Sequence, residues 1–82
     1  VGALPGAQPA DGLMQNRLSA LRAEHGWSQQ RMAELLGVSR QTVISLERGR
    51  FDPSLPLAFN LATLFHCRIE DIFTPEQWSP TE

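Results

Sequence analysis

The chain has 82 residues, a length that allows one domain built around one hydrophobic core. Its formal net charge is -2, all seven basic residues are arginine, and its single cysteine, Cys67, cannot form an internal disulfide. No apolar run approaches the roughly 18 residues of a membrane-spanning helix, and the first residues lack the pattern of a secretion signal. We therefore expect a cytoplasmic protein with no membrane partner.

The charge is distributed unevenly along the chain. Six of the seven arginines lie within residues 17–50, beside three glutamates, whereas residues 51–82 hold one arginine and five acidic residues. Because salt confines charge effects to about 10 Å, a local positive segment can attract a polyanion although the whole chain is acidic. The middle of the chain is therefore a candidate surface for nucleic acid.

The first predicted helix follows an N-terminal extension, residues 1–13, that is rich in Gly, Pro, Ala and Gln and is expected to be disordered. In this helix Met14, Leu18 and Leu21 stand at i, i+4 and i+7, which places them on one apolar face. Gly26 is expected to end the helix as the residue that adopts a positive φ.

Two more short helices follow, joined by a tight turn. Ser28 is a good N-cap for the second helix and Ser39 for the third. A helix-turn-helix needs a small residue where its helices cross, and Ala33 supplies one. It also needs a residue that is comfortable at positive φ in the turn, which Gly37 supplies, and apolar residues on the inner face of its second helix. The inner positions are Val43 and Leu46.

The fourth predicted helix is capped by Ser54 and accommodates Pro56 in its first turn. Apolar residues surround most of its circumference. They are Leu55, Leu57, Ala58, Phe59, Leu61, Ala62, Leu64 and Phe65. A helix of this kind needs burial on more than one side, so we expect its surplus apolar surface to form a homodimer contact together with the fifth helix. The alternative is that the first and fifth helices cover that surface within the monomer.

A short fifth helix is predicted over residues 69–73, where Ile69, Ile72 and Phe73 share one face. The domain is therefore expected to span residues 14–74, followed by a C-terminal tail at residues 75–82. The chain shows no strand-like alternation, no internal repeat and no hairpin turn signal, so we predict an all-α fold.

Most of the chain resembles the XRE family of DNA-binding domains, the Cro/cI-repressor type. The matching segment is RLSALRAEHGWSQQRMAELLGVSRQTVISLERGRFDPSLPLAFNLATLF, followed by IEDIF. The resemblance implies a compact five-helix lambda-repressor-like bundle that binds operator DNA as a homodimer, with its third helix in the major groove. Three positions depart from the family pattern, namely His66, Arg68 and Phe51. His66 stands where glycine often ends the fourth helix, and Arg68 is expected to begin the last helix poorly.

The outer face of the third helix is expected to contact bases, because Val43, Leu46 and Glu47 turn inward. Arginine matches the paired acceptors of guanine, and glutamine matches the donor and acceptor of adenine. The expected base-contacting residues are Arg40, Gln41, Thr42 and Ser45. For Thr42 a phosphate contact is the alternative, and Ile44 either touches a thymine methyl group or widens the core.

A second set of residues is expected to contact DNA phosphates. Gln29 matches a family position that binds the backbone at the start of the second helix, where N–H groups point outward. The full set is Ser28, Gln29, Arg50, Arg48 and Arg17. For Arg17 and Arg48 a purely solvated role is an equal alternative. The resemblance also pairs Arg22 with Glu47 in a partly buried ion pair.

These features predict a sequence-specific DNA-binding transcriptional regulator, a dimeric repressor that reads an inverted repeat through the helix at residues 39–48. The alternative is a protein-interaction or antitoxin-like module of the same fold. No paired carboxylates, nucleophile–base set, phosphate loop or metal-ligand spacing is present, so we expect no enzyme activity, no cofactor and no metal.

Overall fold

The computed structural model of the protein describes residues 15–50, 52–74 and 80. It contains five helices and one small sheet, which confirms the five-helix bundle expected from the sequence. The elements are β1 (Gln15–Asn16), α1 (Leu18–Glu24), α2 (Gln29–Leu36), α3 (Arg40–Glu47), α4 (Leu55–Leu64), α5 (Ile69–Ile72) and β2 (Phe73–Thr74). The predictions made for residues 1–13, Met14, Phe51 and most of residues 75–82 lie outside the described residues.

A small sheet that no sequence pattern indicated accompanies the expected helices. β1 pairs with β2 in antiparallel register, with Gln15 opposite Thr74 and Asn16 opposite Phe73. Strands of two residues carry no alternation that a sequence pattern could reveal, and their pairing joins the two ends of the domain. Helix α1 therefore begins at Leu18 and not near residue 14, because Asn16 Oδ1 accepts the Leu18 N–H at 3.0 Å.

The predicted serine caps are confirmed at the start of three helices. The hydroxyl oxygens of Ser28, Ser39 and Ser54 accept the backbone N–H three residues further on, at 3.0, 3.1 and 3.2 Å. Each bond satisfies one of the N–H groups that a helix leaves without an intrahelical acceptor. The starts of α2, α3 and α4 are thus set by local side-chain chemistry.

The positive φ expected at Gly26 and Gly37 is confirmed, and Gly49 adopts the same conformation after α3. Gly26, Gly37 and Gly49 have φ values of 69°, 75° and 70° and follow α1, α2 and α3. At Gly37 a side chain would meet no atom within 4 Å, so it is the backbone conformation and not crowding that favours glycine in the turn. His66 takes the equivalent position after α4, with φ 55°.

Arg68 is the N-cap of α5, but its side chain cannot accept a hydrogen bond from the helix, since a guanidinium has no acceptor. Instead the Asp71 carboxylate accepts the Arg68 backbone N–H at 3.0 Å, in the manner of the N3 residue of a capping box. This hydrogen bond is the main reason that the pKa of Asp71 is lowered, and the Arg68 side chain adds to the effect. The aspartate thus compensates for the missing serine.

The core draws on all five helices and on β2. Its buried apolar side chains are Leu18, Leu21, Met32, Ala33, Val43, Leu46, Ala58, Leu61, Ala62, Phe65, Ile72 and Phe73. Ala33 is only 1% exposed, as expected for the small residue where α2 meets α3. Trp27 packs over the end of this core, with its ring centroid 5.7 Å from that of Phe65.

Two further observations concern residues 15–50 and 52–74. No helix in these ranges has both the length and the apolar character required to cross a membrane. In the same ranges, no three His, Cys, Asp or Glu side chains are grouped so that they could hold a metal ion.

Burial raises the pKa of the Cys67 thiol, which favours an unreactive thiol at this position.

Candidate DNA-binding face

The first turn of α3 presents the two residues with the strongest base-reading chemistry. Arg40 and Gln41 are both exposed, whereas Val43 and Leu46 on the opposite side are buried with exposures of 0% and 1%. The core thus fixes the rotation of α3 about its axis. Because those two apolar anchors are three residues apart, the helix holds Arg40 and Gln41 toward solvent.

A groove of about 390 Å³ runs beside this edge and joins three helices. Arg40 and Ile44 of α3 and Arg48 directly after it line the groove, at a spacing of four residues that places them on one face. Ser19 of α1 and Gln29 of α2 line the other side. Residues expected to contact bases and residues expected to contact phosphates therefore meet on one surface, with Ile44 half-buried in its floor.

An ion pair lies at the back of this groove. Arg22 Nε is 2.6 Å from Glu47 Oε2, and Arg22 Nη2 donates to Glu47 Oε1 at 3.3 Å. Arg22 Nη1 also donates to the Trp27 carbonyl at 2.9 Å. The Arg22 and Glu47 side chains are 20% and 7% exposed, so the pair is largely removed from water. It connects α1 to the last turn of α3.

The hydroxyl residues expected to contact DNA are partly engaged inside the protein. Thr42 Oγ1 lies 2.9 Å from the Ser39 hydroxyl at the start of α3. Ser45 is half-buried on the same helix. The Ser28 oxygen accepts the Arg31 N–H as the cap of α2, which leaves its own hydroxyl proton to donate outward. Their contacts with bases and phosphates stay predictions.

The arginines expected to contact phosphates lie in different surroundings. Arg48 is exposed and lines the groove. Arg17 donates from Nη1 to the Asp71 carbonyl at 3.3 Å, so its side chain is directed toward α5. Arg50 is exposed and follows Gly49 directly after α3. These roles also stay predictions.

The environment of Arg50 differs from that of the corresponding residues after the other helices. The Arg50 N–H donates to the Ser45 carbonyl at 3.0 Å, the same closing bond that ends α1, α2 and α4. After those three helices the donor is Trp27, Val38 or Cys67, and each packs against the core. Since Arg50 stays exposed at a position that elsewhere serves packing, its charge is available to a ligand.

Sequence reasoning missed two hydrogen bonds that fix this surface. Gln29 Nε2 donates to Glu47 Oε1 at 3.1 Å, and Asn16 Nδ2 donates to the Leu46 carbonyl at 2.9 Å. Both bonds join residues that are distant in the chain, so neither follows from helical spacing. For Gln29 the only sequence signal is its position next to the Ser28 cap.

The chain is similar to known proteins of one family. A helix-turn-helix family profile matches residues 18–72. An uncharacterized HTH-type transcriptional regulator of Methanocaldococcus jannaschii is 52% identical over 63 residues, covering 77% of this chain and 96% of the relative. An uncharacterized regulator of the same type from Bacillus subtilis is 42% identical over 64 residues, covering 78% of this chain and 97% of the relative.

Solved structures agree with this assignment. The restriction-modification controller protein C.AhdI from Aeromonas hydrophila superposes with a TM-score of 0.60 at 36% identity, covering 67% of this chain and 83% of C.AhdI. A transcriptional regulator from Listeria innocua gives a TM-score of 0.62 at 33% identity, covering 80% of this chain and 67% of that protein. Together, the profile, the relatives and the shared fold show that this chain belongs to the helix-turn-helix family, of the XRE (Cro/cI-repressor) type.

Proposed function

We propose that the protein is a transcriptional regulator that recognises a specific sequence of double-stranded DNA through the helix at residues 39–48. The observation that carries this proposal is the exposed Arg40–Gln41 edge of α3, in which Arg40 lines one groove together with Gln29 and Arg48. Arginine and glutamine are the side chains that best match guanine and adenine in the major groove. The relatives are named as regulators and not as enzymes, which agrees with this function.

Two kinds of contact, to base edges and to phosphates, would contribute to DNA binding. Arg40 and Gln41, with Thr42 and Ser45 beside them, would read base edges when α3 enters the major groove. Gln29 and Arg50, which stand before and after α3 in the chain, would bind phosphates and fix the register of the helix on the duplex. The charge distribution supports this orientation, because Arg40, Arg48 and Arg50 are exposed on α3 and directly after it.

The protein is further proposed to act as a homodimer through α4 and α5. Leu55 and Phe59 of α4 are 65% and 56% exposed although both are large and apolar. They stand four residues apart and so lie on one face of the helix. Burial of this face in a dimer would remove apolar surface from water and place two copies of α3 about one helical turn of DNA apart, on an inverted repeat.

The alternative function is a protein-interaction or antitoxin-like module. The same observation favours it, because exposed apolar surface on α4 suits a different protein as well as a second copy. Stoichiometric co-purification of another protein, with no binding to any DNA sequence, would support the alternative. A dimer in light scattering of the purified protein alone would support self-association.

Selection of bound sequences from a pool of random duplex DNA tests the main proposal. We expect enrichment of an inverted repeat, and we expect Arg40→Ala and Gln41→Ala to abolish the enrichment. Arg31→Ala and Gln15→Ala are matched controls, since both residues are exposed and lie outside α3. Failure of the unsubstituted protein to enrich any sequence would contradict the proposal.

A further inference from the structure

The structure assigns to Glu47 the role of positioning residue for Gln29, so that the buried ion pair of the fold also sets the geometry of a DNA contact. This inference rests on the proposed function, in which Gln29 binds a phosphate. It adds a role for Glu47 that the ion pair with Arg22 does not itself require.

A hydrogen bond joins the Gln29 and Glu47 side chains. Gln29 Nε2 lies 3.1 Å from Glu47 Oε1, and Glu47 is only 7% exposed. The Glu47 carboxylate is itself held by two bonds from Arg22, at 2.6 and 3.3 Å. Because Arg22 is anchored in turn on the Trp27 carbonyl, the acceptor offered to Gln29 has a fixed position.

The bond to Glu47 sets the direction of the Gln29 amide. A glutamine Nε2 carries two hydrogens, and a carboxylate can only accept. The bond to Glu47 therefore decides which end of the amide faces inward, and it leaves the second Nε2 hydrogen to donate to a phosphate. Without this bond the amide could rotate, and binding would require the loss of that rotational freedom.

The negative charge of Glu47 is compensated by Arg22. A carboxylate near DNA would repel phosphates, but the Arg22 guanidinium neutralises Glu47 at 2.6 Å. The Arg22–Glu47 pair thus supplies a strong acceptor without a net negative charge at the DNA face. An exposed carboxylate in the same place would orient Gln29 at the expense of affinity for DNA.

A second glutamine–glutamate pair on α2 provides a matched control. Gln30 Nε2 donates to Glu34 Oε2 at 3.4 Å, and Glu34 is 55% exposed and paired with Arg31 at 3.4 Å. Glu34→Gln and Glu47→Gln change the net charge of the chain equally, and the local charge effect at Glu47 cancels when Glu47→Gln is compared with and without Gln29→Ala. Only Glu47→Gln also changes the group that faces Gln29, because an amide has one oxygen: when Arg22 holds that oxygen at the Oε2 position, an NH2 group faces Gln29 in place of an acceptor.

The test is a double-substitution cycle measured as affinity for random-sequence duplex DNA. We expect Gln29→Ala to weaken binding about tenfold, as for loss of one hydrogen bond to a charged group. Glu47→Gln should weaken binding several-fold more in a chain that carries Gln29 than in a chain that carries Gln29→Ala, whereas Glu34→Gln should have the same effect in both. Equal effects of Glu47→Gln with and without Gln29→Ala would overturn the positioning role.

Two readouts separate this inference from the proposed function and from a loss of folding. Absence of DNA binding by the unsubstituted protein contradicts the proposed function, whereas binding with an additive cycle contradicts only the role of Glu47. If Glu47→Gln does not fold, NMR relaxation of the side-chain amides in the unsubstituted protein decides the question. The inference requires Gln29 Nε2 to be more ordered than Gln30 Nε2, and equal mobility of the two would refute it.

Discussion

At the scale of single residues, Glu47 stands out because it is nearly buried and bears a charge. Its carboxylate accepts hydrogen bonds from Arg22 and Gln29, which belong to α1 and α2. It therefore links the three helices that form the groove. Removal of one partner of such a pair leaves the other charge in a poorly hydrated place.

We predict that Glu47→Ala lowers the free energy of unfolding by about 3–5 kcal/mol, because it removes the partner of Arg22, whose side chain is only 20% exposed. Urea denaturation followed by circular dichroism measures this change. Glu34→Ala is the control, since its pair with Arg31 is more than half exposed and contributes about 0–1 kcal/mol. Equal unfolding midpoints for the two variants would contradict the structural role of the buried pair.

Arg50 is proposed to contact a DNA phosphate. If its exposed guanidinium binds a phosphate, Arg50→Ala should weaken binding to all sequences alike and reduce the slope of log K against log salt by about 1. A titration series between low and moderate salt measures the slope. A loss of affinity confined to one preferred sequence would instead make Arg50 a base contact.

At the scale of elements, four helices end in the same manner. After α1, α2, α3 and α4 the chain turns through a residue of positive φ, and the next N–H returns to a carbonyl of the last turn. Three of the turning residues are glycine, and the fourth is His66. Histidine adopts this conformation less readily than glycine, so the end of α4 holds strain that the other helices avoid.

We predict that His66→Gly raises the free energy of unfolding by about 0.5–1 kcal/mol, because glycine adopts positive φ without the steric cost of a Cβ. The matched control is Gly26→Ala, which places a Cβ at φ 69° in open space and should lower stability by about 1 kcal/mol. Chemical denaturation of both variants measures these changes. Destabilisation by His66→Gly would show that the imidazole has a stabilising contact.

These elements also show how far sequence reasoning reaches. The ends of α2 and α3 are predictable because Ser28, Gly37, Ser39 and Gly49 act through bonds to their near neighbours in the chain. The β1–β2 pair is not predictable in this way, since two extended residues at each end of the domain leave no periodic signal. The same holds for the Gln29–Glu47 bond, which depends on how three helices pack and not on any local pattern.

At the scale of the whole molecule, the groove proposed to face DNA and the apolar face of α4 are separate surfaces. Leu55 and Phe59 are exposed on α4. Leu35 of α2 is a third large apolar side chain that is exposed, at 39%. A groove of about 250 Å³, lined in part by Leu35 and Thr63, separates α2 from α4. A regulator that binds an inverted repeat needs such a second surface in order to pair its subunits.

We predict that Phe59→Ser shifts the protein from dimer to monomer, because it replaces a large apolar side chain at the proposed interface by a small polar one. Phe59→Leu is the control that retains apolar character. Light scattering or sedimentation over micromolar concentrations measures the mass of each variant. A dimer that persists unchanged in Phe59→Ser would exclude this part of α4 from the interface.

The central claim is that the exposed edge of α3 reads bases, and Gln41 tests it most directly. The measurement is the affinity of the unsubstituted protein and of Gln41→Ala for the selected DNA site and for the same site with each base pair changed in turn. We predict that Gln41→Ala loses discrimination of about 1–3 kcal/mol at one base pair in each half-site, with stability and phosphate contacts unchanged. Retention of every base preference by Gln41→Ala would contradict the account.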